Sequence, residues 1–186
     1  MVSWQPSRRF VVVISILAVL LFFVGLFLYG LAAALTHGSA PRMTVGLFDL
    51  AVTLGLLAAL MVGHEGIHAL AMGALGAKPR FGAAVAGRSL PVLYVAAPGH
   101  RFTRAQSSVL VAAPGILISL LGLAGVSAQW GTILVVPLAA HLAGCCGDAG
   151  LIWRVARQPR GTMVEHRGEW LVFHPTSATQ GPPLSP

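Results

Sequence analysis

Apolar residues gather into four long runs along this chain, near 10–35, 45–77, 107–128 and 131–155, and polar or basic residues gather between them. A helix of about 20 apolar residues spans a hydrocarbon core, so each run predicts a transmembrane helix. The first run follows Arg8 and Arg9. It is longer than the apolar core of a signal peptide, about 7–15 residues, and reads as an uncleaved anchor. Two β-prone stretches, 81–85 and 91–96, lie between the second and third runs, divided by Gly87 and Arg88, and predict a hairpin. Its edges can approach lipid only where protein or water satisfies their backbone groups. Stretches 162–165 and 169–173 flank His166, Arg167 and Gly168 and form a second candidate pair. The predicted fold class is an all-α polytopic membrane protein, four transmembrane helices with a small cytoplasmic β-hairpin between helices 2 and 3. Residues 1–175 are expected to make a single transmembrane domain, and the Pro-, Ser- and Gly-containing stretch 176–186 a disordered tail. No repeat with a period of about 20–50 residues is visible.

Composition supports the pattern. Of 186 residues, 56% are hydrophobic and 9% charged, and the mean hydropathy is +0.81. A soluble domain carries about a quarter charged residues, so a cytosolic enzyme is excluded, together with disordered, collagenous and nucleic-acid-binding chains. The net charge of +7 arises from twelve Lys and Arg against five acidic residues, and the basic ones cluster between the apolar runs. With both termini cytoplasmic, every Lys and Arg except Arg42 lies inside, as the positive-inside rule requires. The expected location is therefore an integral, multi-pass one in a prokaryotic cell membrane, with the lipid bilayer as partner and no nucleic acid. Cys145 and Cys146 are adjacent, so on a helix they point about 100° apart and read as packing, not as a disulfide. Pro114 and Gly115 predict a kink, and Gly66, Gly73, Gly76, Gly122 and Gly125 predict close helix contacts.

Three of the five acidic residues, Asp49, Glu65 and Asp148, fall inside apolar runs, where an ionisable group is costly unless it pairs, binds a metal or faces water. His64-Glu65-Gly66-Ile67-His68 has the H-E-x-x-H pattern. Histidines at i and i+4 share a helix face about 6 Å apart, close enough to grip one Zn²⁺, while Glu65 reaches the water beside it. The alternative is a pair of histidines hydrogen-bonded to neighbouring helices, with Glu65 balanced by an arginine. Burying three such groups in a span costs several kcal/mol on insertion scales, and a metal offsets that most simply.

Catalytic zinc takes about three protein ligands and keeps one position open. His141 and Asp148 share a face of the last run but stand about 10.5 Å apart along an unbroken helix, too far to bind one ion together. Counted from the outer end, His64 lies about 28 Å deep, Asp148 about 26 Å and His141 about 15 Å. Asp148 is thus the expected third ligand. His141 is left as a group supporting the ligands, an alternative ligand, a substrate-side group or a core histidine. Asp49, about 22 Å from His64 on the same helix, is expected at the outer interface or in helix pairing. His37, His100, His166 and His174 fall in loops or the tail and read as solvated. Arg101 and Arg104 read as topology charges, with one of them able to meet a substrate carboxylate or an oxyanion.

Taken together, His64 to His68 late in a span, the basic hairpin-like stretch, Arg104-Ala105-Gln106 leading to Ala113-Pro114-Gly115, and His141 through Gly147-Asp148 resemble the DUF3267 family of zincin-type peptidases. These are small integral membrane proteins related to site-2 proteases, and the similarity covers about residues 45–175. The resemblance implies an intramembrane zinc metallopeptidase in which His64 and His68 bind Zn²⁺, Glu65 is the catalytic base and Asp148 completes the coordination. Site-2 proteases carry the last ligand in an Asn-Pro-Asp-Gly or Leu-Asp-Gly setting, whereas here Gly147 precedes Asp148, Ala149 and Gly150 follow it, and the chain has no Asn. A PDZ-like or CBS-like domain is lacking, so selection of a membrane-protein or peptide substrate would rest on the hairpin, the spans or a partner. The competing reading is a non-proteolytic zinc-binding membrane scaffold or inactive relative. Glu65 favours the hydrolase, because a scaffold has no need of that carboxylate. A metal or proton transporter fits less well, since four spans lack repeated halves.

Overall fold

A computed structural model describes residues 2–38, 46–86, 90–128, 131–168 and 170–175. Ser7 starts α1 (Arg8–His37): its Oγ accepts the Phe10 N–H, one of the donors that a first turn cannot satisfy internally. The helix stops at Gly38, whose φ of 69° is left-handed and whose N–H reaches Ala34 O. In α2 (Leu47–Ala74) the Asp49 carboxylate accepts the Gly46 N–H at 3.1 Å, so this acidic residue caps the helix start. A reciprocal capping box between Thr103 and Gln106 opens α3 (Arg104–Val126). The fourth apolar run is not one continuous helix. α4 (Gly131–Gly144) gives way at Cys145 to α5 (Cys146–Ala156), a break flanked by Gly144 and Gly147, residues that hold a helix weakly. Counting Gly131–Ala156 as one, four helical segments among the described residues are long and apolar enough to cross a membrane.

The fold is mainly helical but not all-α. β2 (Arg80–Ala86) and β3 (Leu90–Ala96) form the expected antiparallel hairpin, with Phe81 opposite Val95 and Gly82 opposite Tyr94. A second sheet joins β1 (Val2–Trp4), β6 (Trp170–His174), β5 (Met163–Arg167) and β4 (Phe102–Thr103) in that order, all antiparallel. β5 and β6 are the pair anticipated near 162–173. β1 and β4 are too short to carry an alternating pattern, and long-range pairing alone makes them strands. All six strands among the described residues lie where α1 and α3 begin and where α2 and α5 finish. Arg42, Gly87, Arg88, Glu169 and the 176–186 tail lie outside the described residues.

Small residues set the helix spacing. α1 lies along α4, closest at Gly25, where a Cβ would come 2.8 Å from Ala139 Cα. Gly122 of α3 makes room for Leu138 of α4, and Gly150 of α5 does so for Phe10 and Ile14 of α1. Gly66 and Gly73, expected to act likewise, border open space. Buried apolar clusters form where α1, α3 and α4 meet (Tyr29, Ile118, Leu138) and where α2 and α3 meet the strands (Met72, Val95, Phe102, Leu110). A third joins α5 to the sheet through Val155, Val164 and Phe173.

Candidate metal centre

His64 and His68 stand one turn apart late in α2, with ring centroids 4.8 Å apart. Their orientation depends on α3. Pro114 has no N–H, so the carbonyl four residues earlier, that of Leu110, lacks its helical donor. The His68 Nδ1–H takes that place, donating to Leu110 O at 3.0 Å. A carbonyl only accepts, so the proton resides on Nδ1, and neutral His68 keeps its Nε2 lone pair for the site.

The break at Cys145 delivers Asp148 on the first turn of α5. Its Oδ2 lies 3.0 Å from His64 Nε2, and its Oδ1 lies 3.6 Å from His68 Nε2. The other nitrogen of His64, Nδ1, is 3.1 Å from His141 Nε2. The depth separation of an unbroken helix therefore does not keep His141 away. His141 and Asp148 meet the same imidazole from opposite sides, because their side chains and the width of the ring span the separation along the run.

His64, His68 and Asp148 each present a ligand atom within 4.8 Å of the other two. Zn²⁺ at about 2.0–2.2 Å from tetrahedral donors holds them about 3.3–3.6 Å apart, and the observed 3.0 and 3.6 Å are close to that. Asp148 Oδ2 is buried and makes no hydrogen bond among the described residues, although His64 Nε2 is its near neighbour. The Nε2 atoms of His64 and His68 thus face the Asp148 carboxylate in an apolar setting, where a shared proton or a bound cation must stand between them, and this donor set suits Zn²⁺. Glu65 Oε2 is also buried without a hydrogen-bond partner, and Glu65 lines the same cavity as the three candidate ligands.

That cavity, about 260 Å³, is walled by Phe10 and Ile14 of α1, by the α2 histidines, by Tyr94 of β3 and by His166 of β5. His166 is the residue that the sequence reading missed. It is 4% exposed, not solvated, and its Nε2 lies 2.9 Å from Ser107 Oγ. Burial pushes its pKa down to about 4, which keeps the ring neutral near pH 7. No alternation could have flagged it, because Val164, Glu165 and His166 are all buried and both faces of β5 are covered. His174 is likewise not solvated: its Nε2 lies 3.0 Å from Glu165 Oε2. Glu165 also accepts from Arg167 Nε and, at 2.8 Å, from the Gly99 N–H. Burial opposes its ionisation, but Arg167, the Gly99 N–H and His174 outweigh that and hold the carboxyl at about 2.

The remaining candidates stand apart from the cavity. Arg104 donates to Ala156 O, and neither Arg101 nor Arg104 lines the cavity. His37 Nε2 lies 3.2 Å from Val126 O, and the ring of His100 tilts against Phe102. Cys145 and Cys146 are free thiols.

The family model DUF3267, whose description reads "Putative zincin peptidase", matches residues 56–163, more than half of the chain. No curated protein and no solved structure matches it. The matched stretch contains His64, Glu65, His68, His141 and Asp148, and the chain belongs to the DUF3267 family of zincin-type peptidases.

Proposed function

We propose that this protein is an intramembrane, site-2-protease-like zinc metallopeptidase that hydrolyses a peptide bond of a membrane-embedded or juxtamembrane substrate near the cytoplasmic face. The single observation that carries this reading is Glu65 Oε2, buried and without a hydrogen-bond partner among the described residues, in the same cavity as His64, His68 and Asp148. His64, His68 and Asp148 would hold Zn²⁺, which when bound supplies a Lewis acid for the scissile carbonyl and acidifies a water. Glu65 accepts the proton as the water attacks and delivers it to the departing amine. His68 is held in the ligating tautomer by Leu110 O, and with Zn²⁺ on its Nε2 His64 would carry its proton on Nδ1 and donate it to His141. A metal-binding scaffold has no use for a buried, unpaired carboxylate beside the first histidine, and Glu65 therefore favours hydrolysis.

Substrate handling follows from the walls of the cavity. Phe10, Val11, Met72, Leu110 and Leu151 keep it apolar, which limits water to what the reaction consumes. Residues of both α1 and α2 line the cavity, and we place entry of a membrane-borne chain between these two helices. A substrate helix must unwind to present its carbonyl. Among the described residues β3 pairs with β2, and it lines the cavity through Leu93, Tyr94 and Val95; beyond the Ala97 N–H, which reaches His166 O, its other edge is suited to take the unwound segment by strand addition. Large apolar side chains such as Phe23, Phe27, Phe48 and Leu121 point outward, as lipid contact requires.

The test is quantitative proteomics of membrane fractions from cells carrying the wild type or Glu65→Gln. A full-length protein should accumulate in the variant, with its cleaved form present only in the wild type, while purified Glu65→Gln retains zinc. Unchanged cleavage by a zinc-loaded Glu65→Gln would remove the proposed base.

A further inference from the structure

A second group of donors shares His64 with the first. His64, His141 and Cys145 each present a ligand atom within 4.8 Å of the other two. His141 Nε2 is 3.1 Å from His64 Nδ1 and 3.8 Å from Cys145 Sγ. A tetrahedral ion with metal–nitrogen bonds of about 2.05 Å and a metal–sulfur bond of about 2.3 Å holds its nitrogens about 3.3 Å apart and nitrogen and sulfur about 3.6 Å apart. The three donors thus approach the spacing of a coordination site without any change of backbone. Cys145 occupies the break between α4 and α5, and its Sγ rests over Gly115 of α3, where a Cβ would come 3.4 Å from the sulfur. Neither His141 nor Cys145 lines the cavity that holds Glu65, so the two groups of donors lie on opposite sides of the His64 ring.

We propose that His64, His141 and Cys145 form a second cation site, suited to thiophilic ions, that competes with the His64–His68–Asp148 site for the one lone pair of the His64 imidazole and so silences the enzyme. This regulation rests on the peptidase reading, but the site itself does not. A neutral imidazole has one protonated nitrogen and one lone pair. With a cation on Nε2, the proton is on Nδ1 and is donated to His141. With a cation on Nδ1, the proton moves to Nε2, which already lies 3.0 Å from Asp148 Oδ2 and can donate to it. Asp148 and His141 exchange roles: whichever does not bind the cation accepts or orients the shared ring, in the manner of a carboxylate–histidine–metal relay. Binding at the second site releases the Cys145 thiol proton, since a coordinated thiol is deprotonated. The thiolate and the Asp148 carboxylate together then balance a divalent charge in apolar surroundings. A sulfur donor biases the second site toward softer ions, whereas the carboxylate biases the first toward zinc.

Cd²⁺ is a direct probe, because a cadmium–thiolate bond gives a near-ultraviolet charge-transfer absorption that histidine and carboxylate ligands do not. The full-length protein, purified in detergent and stripped of metal, is titrated with Cd²⁺. The expected result is a thiolate band that saturates at one ion per chain, persists in Cys146→Ser and His68→Ala, and disappears in Cys145→Ser and His64→Ala. Cys145→Ala replaces Cys145→Ser if serine in that apolar contact unfolds the chain. Absence of the band in the wild type, its survival in Cys145→Ser, or two ions bound together per chain would overturn the proposal. Zinc binding by Cys145→Ser reports on the first site alone, so the two readings can fail separately.

Discussion

Replacing Pro114 by Ala restores an N–H four residues after Leu110, and that donor competes with His68 for the Leu110 carbonyl. In the wild type the His68 Nδ1–H makes this bond at 3.0 Å because the helix cannot. Loss of such an orienting hydrogen bond lowers metal affinity by about 10- to 100-fold, or about 1.4–2.7 kcal/mol. The same substitution should act oppositely on the helix. Removing a mid-helix proline recovers about 3 kcal/mol. Pro114 is fully buried, and its two lost methylenes forfeit about 0.8 kcal/mol each, which leaves a net gain of about 1.4 kcal/mol. The metal-free Pro114→Ala protein should therefore unfold at higher temperature than the wild type while binding zinc more weakly. Competition against a chromophoric chelator measures the affinity, and thermal unfolding in detergent with excess chelator measures the stability. Unchanged zinc affinity in a variant that is stabilised would refute the claim that the missing proline donor sets the His68 tautomer.

Asp148→Ala, made in a Cys145→Ser background so that the thiolate cannot take up the ion, should weaken zinc binding by about 10²- to 10⁴-fold, as loss of one partner from a buried charged cluster costs about 3–5 kcal/mol. His141→Ala in the same background should cost about 10- to 100-fold, and equal or reversed losses by metal analysis would make His141 the ligand. Glu165→Gln should destabilise the protein by about 1–3 kcal/mol at pH 7, since it leaves buried partners imperfectly satisfied. Because the Glu165 pKa is depressed to about 2, its contribution is complete above the ordinary carboxylate value of about 4.3 and drains away as pH falls toward about 2. The difference in unfolding temperature between wild type and Glu165→Gln should shrink over that window, and a difference independent of pH would count against the ion pairs. Gly25→Ala should cost about 1–3 kcal/mol because the new Cβ meets the Ala139 backbone, whereas Gly30→Ala, with open space around it, should be neutral or slightly stabilising; equal thermal stability of the two would contradict the α1–α4 contact. Reporters fused after Arg42 and after Pro186 should signal from opposite sides of the membrane, and the same side for both would refute the four-span topology.

The apolar runs, the H-E-x-x-H pair and the choice of Asp148 as the partner carboxylate were legible in the sequence because each rests on a local period or a local cost. A run of apolar residues needs no tertiary partner to be long enough to cross hydrocarbon, and i,i+4 spacing fixes one face of a helix whatever surrounds it. What depends on two elements meeting was not legible. That His141 and Asp148 meet opposite nitrogens of one imidazole depends on where α2 packs against the last run, which no local pattern records. His166 lies in a strand whose two faces are both covered, so it carries no polar–apolar signature. The Leu110 carbonyl becomes an acceptor for His68 through a proline on another helix, a relation visible only once α2 and α3 are packed. Sequence thus named the residues that the fold brings together at the candidate metal centre. The tertiary structure decided which nitrogen, which oxygen and which neighbour each one uses, because hydrogen-bond and lone-pair directions are properties of assembled elements rather than of the chain.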